Sequence, residues 1–208
     1  VVMADPDALA LFKDELKHVD SEIRLAAVKR VKTIGYALGP ERSRLELMNV
    51  VNEAVEDDDE ILCALAAELG TDEFIDILGG ATHATVLLQP LQSLAAIEEP
   101  VVRDMAIASL NHIIDSLNEE DITGSVIPMI EALVTGDWFI SRISACGLFV
   151  STYKRMENAE ARTRLRGTFE ALVNDVTPMV RRATAANILG FATVIEPENL
   201  DPQIIKLF

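Results

Sequence analysis

The 208-residue chain is 50% hydrophobic, enough to bury a large core in one domain or one elongated array, which excludes a disordered tail. Its 18 Lys and Arg stand against 34 Asp and Glu, a formal charge of −16, so a phosphate backbone is repelled and basic or mixed-charge protein surfaces are favoured partners. No apolar run reaches the ~18 residues of a membrane span, so neither nucleic acid nor membrane is an expected partner.

Apolar residues recur at helical spacing almost throughout, and no stretch alternates as a strand. The spacing predicts helices at 6–18, 21–37, 40–55, 59–69, 84–97, 100–117, 121–135, 138–152, 158–174, 178–194 and 202–208. They fall into pairs. The breaks inside the pairs are short and rich in acid, Pro or Gly: "VDSE", "EDDDE", "IEEP", "TGDW" and "NDVTP". Such breaks join antiparallel neighbours. The stretch 70–84, "GTDEFIDILGGATHA", reads as a lengthened connection in which Gly79 and Gly80 end a helix. Pro90 and Pro128 fall within first helices and are expected to kink them, each removing a backbone donor. The start, "VVMADPDALALF", has no basic stretch followed by an apolar run and cleavage site, so no secretory leader is expected.

The second helices of the pairs superpose without a gap. "EIRLAAVKRV", "EILCALAAEL", "VVRDMAIASL", "ISRISACGLF" and "MVRRATAANI" align Arg24, Leu62, Arg103, Arg142 and Arg181 in one column, at spacings of 38, 41, 39 and 39 residues. Three positions on stand Ala27, Leu65, Ala106, Ala145 and Thr184, mostly small, as where one helix backs closely onto another. A two-helix repeat of this period cannot bury its apolar face alone and must stack. The expected fold is an all-α, right-handed α-α superhelix: one array over 1–208 with units near 6–37, 40–69, 84–117, 121–152 and 158–194, and the start of a sixth at 202–208.

Catalytic material is poor. His18, His83 and His112 are far apart, and neither Cys-x-x-Cys nor His-x-x-x-His spacing occurs, so no metal, cofactor or enzymatic site is expected. Cys63 and Cys146 lie inside apolar helical patterns as buried thiols, which points to a reducing compartment, cytoplasmic and also nuclear. The arginine column has two readings. In one, Arg24, Arg103, Arg142 and Arg181 form a structural ladder to acids or carbonyls of neighbouring units, with Asp175 at an acid position and Ile97 interrupting it; in the other, they contact a partner directly. Stacking would align the intra-pair turns along one edge suited to a long partner. That edge would carry Asp58, Asp59, Glu98 and Glu99, whose bland alternative role is to solvate helix starts and offset the helix dipole. Beside Asp137 stand Trp138, a candidate contact, and Phe139, which reads as core.

The helix pair with a turn followed by Val-Arg-x-x-Ala resembles the HEAT repeat. The strings "VVRDMA", "GDWFISRISACGLF" and "DVTPMVRRA", in this order, resemble the N-terminal repeats of the scaffolding A subunits (PR65) of protein phosphatase 2A, from "DELKHVDSEIRLAAVKRVKTI" to "IIKLF". That family carries more repeats than the five here, so the resemblance implies a fragment or a short form. It implies a non-catalytic scaffold whose N-terminal repeats bind regulatory B-type subunits through intra-repeat turns, while repeats missing from this chain hold the catalytic subunit. The matching turn positions are Glu98 and Glu99, then Asp137, Trp138 and Phe139, then Asp175, Thr177, Pro178 and Met179; Pro100 departs from the pattern. The alternative is a HEAT adaptor of another complex, in nuclear transport or translation control, against which the "GDWFISRISACGLF" string argues.

Overall fold

The computed structural model describes residues 6–203, which are mostly α-helix with no strand, as the 3.6-residue periodicity requires. The expected sixth-unit start at 202–208 lies largely outside them. The contacts divide the chain into two compact units, residues up to Ser116 and from Leu117 on.

In the first unit the second helices Ser21–Lys29, Asp59–Leu69 and Pro100–Ser116 pack side by side. Pro6–Leu16 and Leu88–Leu94 pack against the first and third of them as first helices. Ala27 and Ala106, in the small-residue column, are fully buried between neighbours. The close approach is sharpest at Gly70, where a Cβ would lie 2.7 Å from the Cα of Ser109. Ser109 is half of that contact, donating its hydroxyl to the Ala66 carbonyl at 2.8 Å. Gly70→Ala is therefore expected to push two second helices apart and to destabilise the chain by about 1–2 kcal/mol in chemical denaturation. An unchanged midpoint would show that this approach is not tight.

Several expected elements differ. The helix predicted over 21–37 breaks at Arg30, whose N–H bonds Ala27 O at 2.9 Å, three residues back, before Val31–Leu38 resumes. The bend lets Val31–Leu38 meet Asp72–Ile77, with Gly35 so close that a Cβ would stand 2.5 Å from Ile77 Cγ2. The helix predicted over 138–152 likewise breaks into Phe139–Ala145 and Phe149–Lys154, through three successive bonds to carbonyls three residues back. There Cys146 Sγ also reaches the Arg142 carbonyl at 3.3 Å. Finally, 70–84 is not a plain connection. Thr71 caps the helix Asp72–Ile77 by accepting the Phe74 N–H at 3.3 Å, and Phe74, Ile75 and Ile77 are buried. Gly79 and Gly80, at φ 98° and 97°, then end it as expected, followed by the 3₁₀ segment Ala81–Leu87.

Irregular turns stand ahead of both prolines, where kinks were expected. Pro128 is the second residue of Ile127–Val134 and follows the π-helical segment Ile122–Val126, which keeps the ring clear of the carbonyl it would strike in a regular helix. Pro90 follows the 3₁₀ segment in the same way. The helix predicted over 40–55 is also composite, Pro40–Arg42, the π segment Ser43–Leu47 and Met48–Glu53, with Ser43 Oγ donating to Gly35 O at 3.1 Å.

In the second unit, Phe139–Ala145 packs on Pro178–Ala192, and the first helices Ile127–Val134 and Ala159–Val173 pack behind them. Phe149, Phe169, Phe191 and Tyr153 meet edge-on or tilted at centroid distances of 4.5–5.6 Å. A polar knot closes this core. Tyr153 Oη donates to Glu196 at 2.6 Å while accepting from Arg166 at 2.6 Å, and Arg162 pairs with Glu196 and lies over the Tyr153 ring. Burial alone would raise the Glu196 carboxyl, but the bonds from Tyr153 and Asn199 and the Arg162 charge outweigh it and hold it down at about 2. A carboxyl depressed on folding stabilises above its unfolded pKa, so this contribution is complete above about pH 4.5 and is lost as pH falls toward 2. Melting temperature against pH should flatten across that window in Glu196→Gln relative to wild type; parallel curves would contradict the assignment.

Candidate partner-binding turns

Most of the second helices open in the same way. In four of the five an arginine folds back over the turn, and in three of these a capping residue in extended conformation, Asp20, Trp138 or Thr177, stands four positions before it; Asp59–Leu69 has Leu62 in that place. Arg24 Nη1 donates to the carbonyls of His18 (2.8 Å) and Val19 (3.2 Å). Arg103 Nη1 does so to Ile97 (3.0 Å) and Glu98, Arg142 Nη1 to Gly136 (2.8 Å) and Asp137 (3.4 Å), and Arg181 Nη1 to Asp175 (2.7 Å) and Val176 (3.1 Å). The repeated arginine is first a brace for its own turn. The expected ladder ran instead to acids or carbonyls of neighbouring units, interrupted at Ile97.

Two of the four also reach across. Arg24 Nε lies 2.9 Å from Asp57 Oδ1, and its Nη2 lies 2.8 Å from Asp58 Oδ2. The hydrogen bond to Asp57 is the main reason that the Arg24 guanidinium holds its proton more tightly than usual. The turn so gripped is the one whose own arginine position is Leu62, buried at 2% exposure. In the second unit, Arg142 Nε donates to Asp175 Oδ2 at 2.8 Å and its Nη2 to Thr177 Oγ1 at 3.2 Å, while Asp175 Oδ1 accepts the Thr177 N–H at 2.7 Å. Burial would push the Asp175 carboxyl up, but the Thr177 N–H and the Arg142 guanidinium hold it below the usual range. The side chains of Arg142 and Asp175 are only 14% and 10% exposed. This clamp locks turn 136–138 to turn 175–177 within the second unit. Arg181, by contrast, is exposed.

The turn residues named from the sequence divide accordingly. Asp58 caps its helix with its side chain largely exposed, and Asp59, Glu98, Pro100, Asp137 and Pro178 are exposed. Glu99 and Phe139 are half-buried. Asp175 and Thr177 are half-buried and belong to the clamp, their side chains bonded to Arg142. Trp138 caps its helix with no side-chain hydrogen bond and is 73% exposed. In the turn clamped to it, Val176 is 88% and Met179 54% exposed. Val176, and Val19 in the first unit, were not singled out from sequence; their signal is a lone valine one residue before a capping position. Val19, Trp138 and Val176 thus stand exposed at the tips of braced turns.

Among the described residues no group of three or more His, Cys, Asp or Glu could hold a metal, and no helix is long and apolar enough to cross a membrane.

No protein-family model matches the chain. Among solved structures, a microtubule-polymerase array of tumour-overexpressed-gene domains matches 92% of this chain and 42% of its own with a TM-score of 0.62 at 14% identity. A designed armadillo-repeat protein solved with a (KR)4 peptide matches 96% of this chain and 87% of its own at a TM-score of 0.50 and 16% identity. These likenesses concern the helical-repeat fold. In sequence, the PP2A protein phosphatase regulatory A subunit of Schizosaccharomyces pombe is 42% identical over 96% of this chain and 34% of its own length. The phosphatase 2A scaffold subunit of Dictyostelium discoideum is 45% identical over 98% and 35%, and the alpha isoform of the 65 kDa regulatory A subunit of Arabidopsis thaliana 43% over 95% and 33%. The chain thus spans about a third of the length of these curated relatives. Over nearly all of that span it belongs with the 65 kDa regulatory A subunits of protein phosphatase 2A.

Proposed function

We propose that the chain is a non-catalytic scaffold segment of a protein phosphatase 2A-type complex, acting in the cytoplasm and also the nucleus, whose braced turns receive regulatory B-type subunits. The observation that carries this is the arrangement in the second unit. Trp138, Val176 and Met179 stand exposed on two turns that the Arg142–Asp175 pair locks together. A rigid apolar contact loses little conformational entropy on binding, which is what a scaffold surface needs. The relatives' names, all phosphatase 2A scaffold or regulatory A subunits, supply the identity of the complex. The excess of acid supports a protein partner over nucleic acid.

The reading also assigns a limit. This segment carries no catalytic-subunit site, which belongs to other repeats of a full scaffold. In co-precipitation, residues 1–208 should retain a B-type subunit but fail to retain the phosphatase catalytic subunit when it is the sole partner supplied. Stable capture of the catalytic subunit by itself would overturn that division.

A further inference from the structure

The first unit holds a second surface, whose floor lies on the flanks of the second helices and whose rim takes in Asp58, Asp59 and Glu99 of the turns. Along Ser21–Lys29, Asp59–Leu69 and Pro100–Ser116 runs an open groove of about 570 Å³, continuous through Leu25, Lys29 and Glu60 with a neighbouring hollow of about 430 Å³. Its floor is apolar: Leu25, Cys63, Ala64, Ala67 and Met105, with Val101 at its edge 61% exposed. Small side chains make the depth. Where Leu25 and Met105 rise on the outer helices, the central helix offers only Cys63, Ala64 and Ala67.

The rim is acidic. Asp59, Glu60 and Glu99 line the larger hollow and Glu22 the smaller, against the single cation Lys29. Asp58, also on the rim, is partly neutralised by Arg24. An apolar trough between carboxylates rejects an acidic or purely polar occupant and favours a chain with an apolar side chain for the floor and cations for the rim. Three helices at the usual 8–10 Å spacing span about 20 Å, the length of about six extended residues.

We propose that this groove is a docking site for a short basic segment of a partner protein, with one or two apolar side chains between Lys or Arg residues. It stands whether or not the turn tips bind regulatory subunits, because its floor shares no residue with them.

Cys63 gives a direct readout: it lies half-buried on the groove floor, whereas Cys146 is buried. The probe is a hexapeptide with two central leucines flanked by Lys and Arg, and the measurement is the rate of maleimide alkylation of Cys63. A peptide at ten times its Kd should slow alkylation about tenfold, since only the empty groove reacts. Glu60→Lys should weaken binding about tenfold by setting like charges together, and Ala64→Trp, filling the floor, should abolish protection while the melting temperature shows that the variant folds. Ala67→Trp is the second filling variant should Ala64→Trp fail to fold.

Four results would overturn the proposal. One is an alkylation rate unchanged by saturating peptide, and another is wild-type affinity in a folded filling variant. A third is equal protection by a peptide of Lys and Arg alone, which would mean charge attraction without the floor. The last is Cys63 already protected with no peptide present, whether by a second copy as concentration rises or by the chain itself.

Discussion

Arg142→Ala is expected to destabilise the second unit by about 2–3 kcal/mol, the largest loss among the four turn arginines. The reason is what stays behind. Removing the guanidinium leaves the Asp175 carboxylate, only 10% exposed, with the Thr177 N–H and no cation, and also frees the carbonyl of Gly136. A charge stripped of its partner in a partly buried site costs more than the pair contributed. Arg142→Lys should recover only part of the loss, since an ammonium cannot serve Asp175, Thr177 and the Gly136 carbonyl together as the fork does. Arg181→Ala, at an exposed brace, should cost under about 1 kcal/mol. Urea denaturation of the three variants provides the test, and equal losses at 142 and 181 would refute the clamp.

Trp138→Ala is expected to weaken regulatory-subunit binding by about 2 kcal/mol or more, roughly thirtyfold, with little change in stability. The side chain is 73% exposed and makes no capping bond, so the fold loses little when it is truncated. A complex would lose a large, stiff apolar surface from the centre of its contact. Glu98→Gln and Asp137→Asn, at exposed acids, should instead change the association rate and its salt dependence. The check is titration calorimetry beside thermal melting for each variant. Unchanged affinity for Trp138→Ala, or a loss that tracks the melting temperature, would assign the residue to the fold.

The arginine column was legible in the sequence because it repeats. A single Arg before an apolar helix is ambiguous, but Arg24, Arg103, Arg142 and Arg181 in one register require a common geometry. The Asp175 partner was legible too. What could not be read was which bond dominates: folding each guanidinium onto two carbonyls of its own turn depends on backbone direction, which periodicity does not carry. The breaks at Arg30 and at 146–148 were hidden for a related reason, since the apolar pattern runs through both while the bonds shorten to three residues. The helix Asp72–Ile77 was lost between glycines, although Thr71 with two acids after it is a start signal. Asp175, read both as a ladder acid and as a turn contact, and Thr177, read as a turn contact, prove to be clamp, whereas Val176 between them read as nothing in particular and stands 88% exposed. Adjacent turn residues face opposite ways, and composition alone cannot assign them.

The central claim is that the clamped turns of the second unit are where a regulatory subunit sits. A photoreactive amino acid placed at Val176, outside the clamp's side-chain bonds, tests it directly against one placed at Glu170, exposed on the first helix Ala159–Val173. With a B-type subunit present, the account predicts a cross-link from position 176 and none from 170. Cross-links from 170 alone, or from neither position while the two proteins still bind, would contradict it.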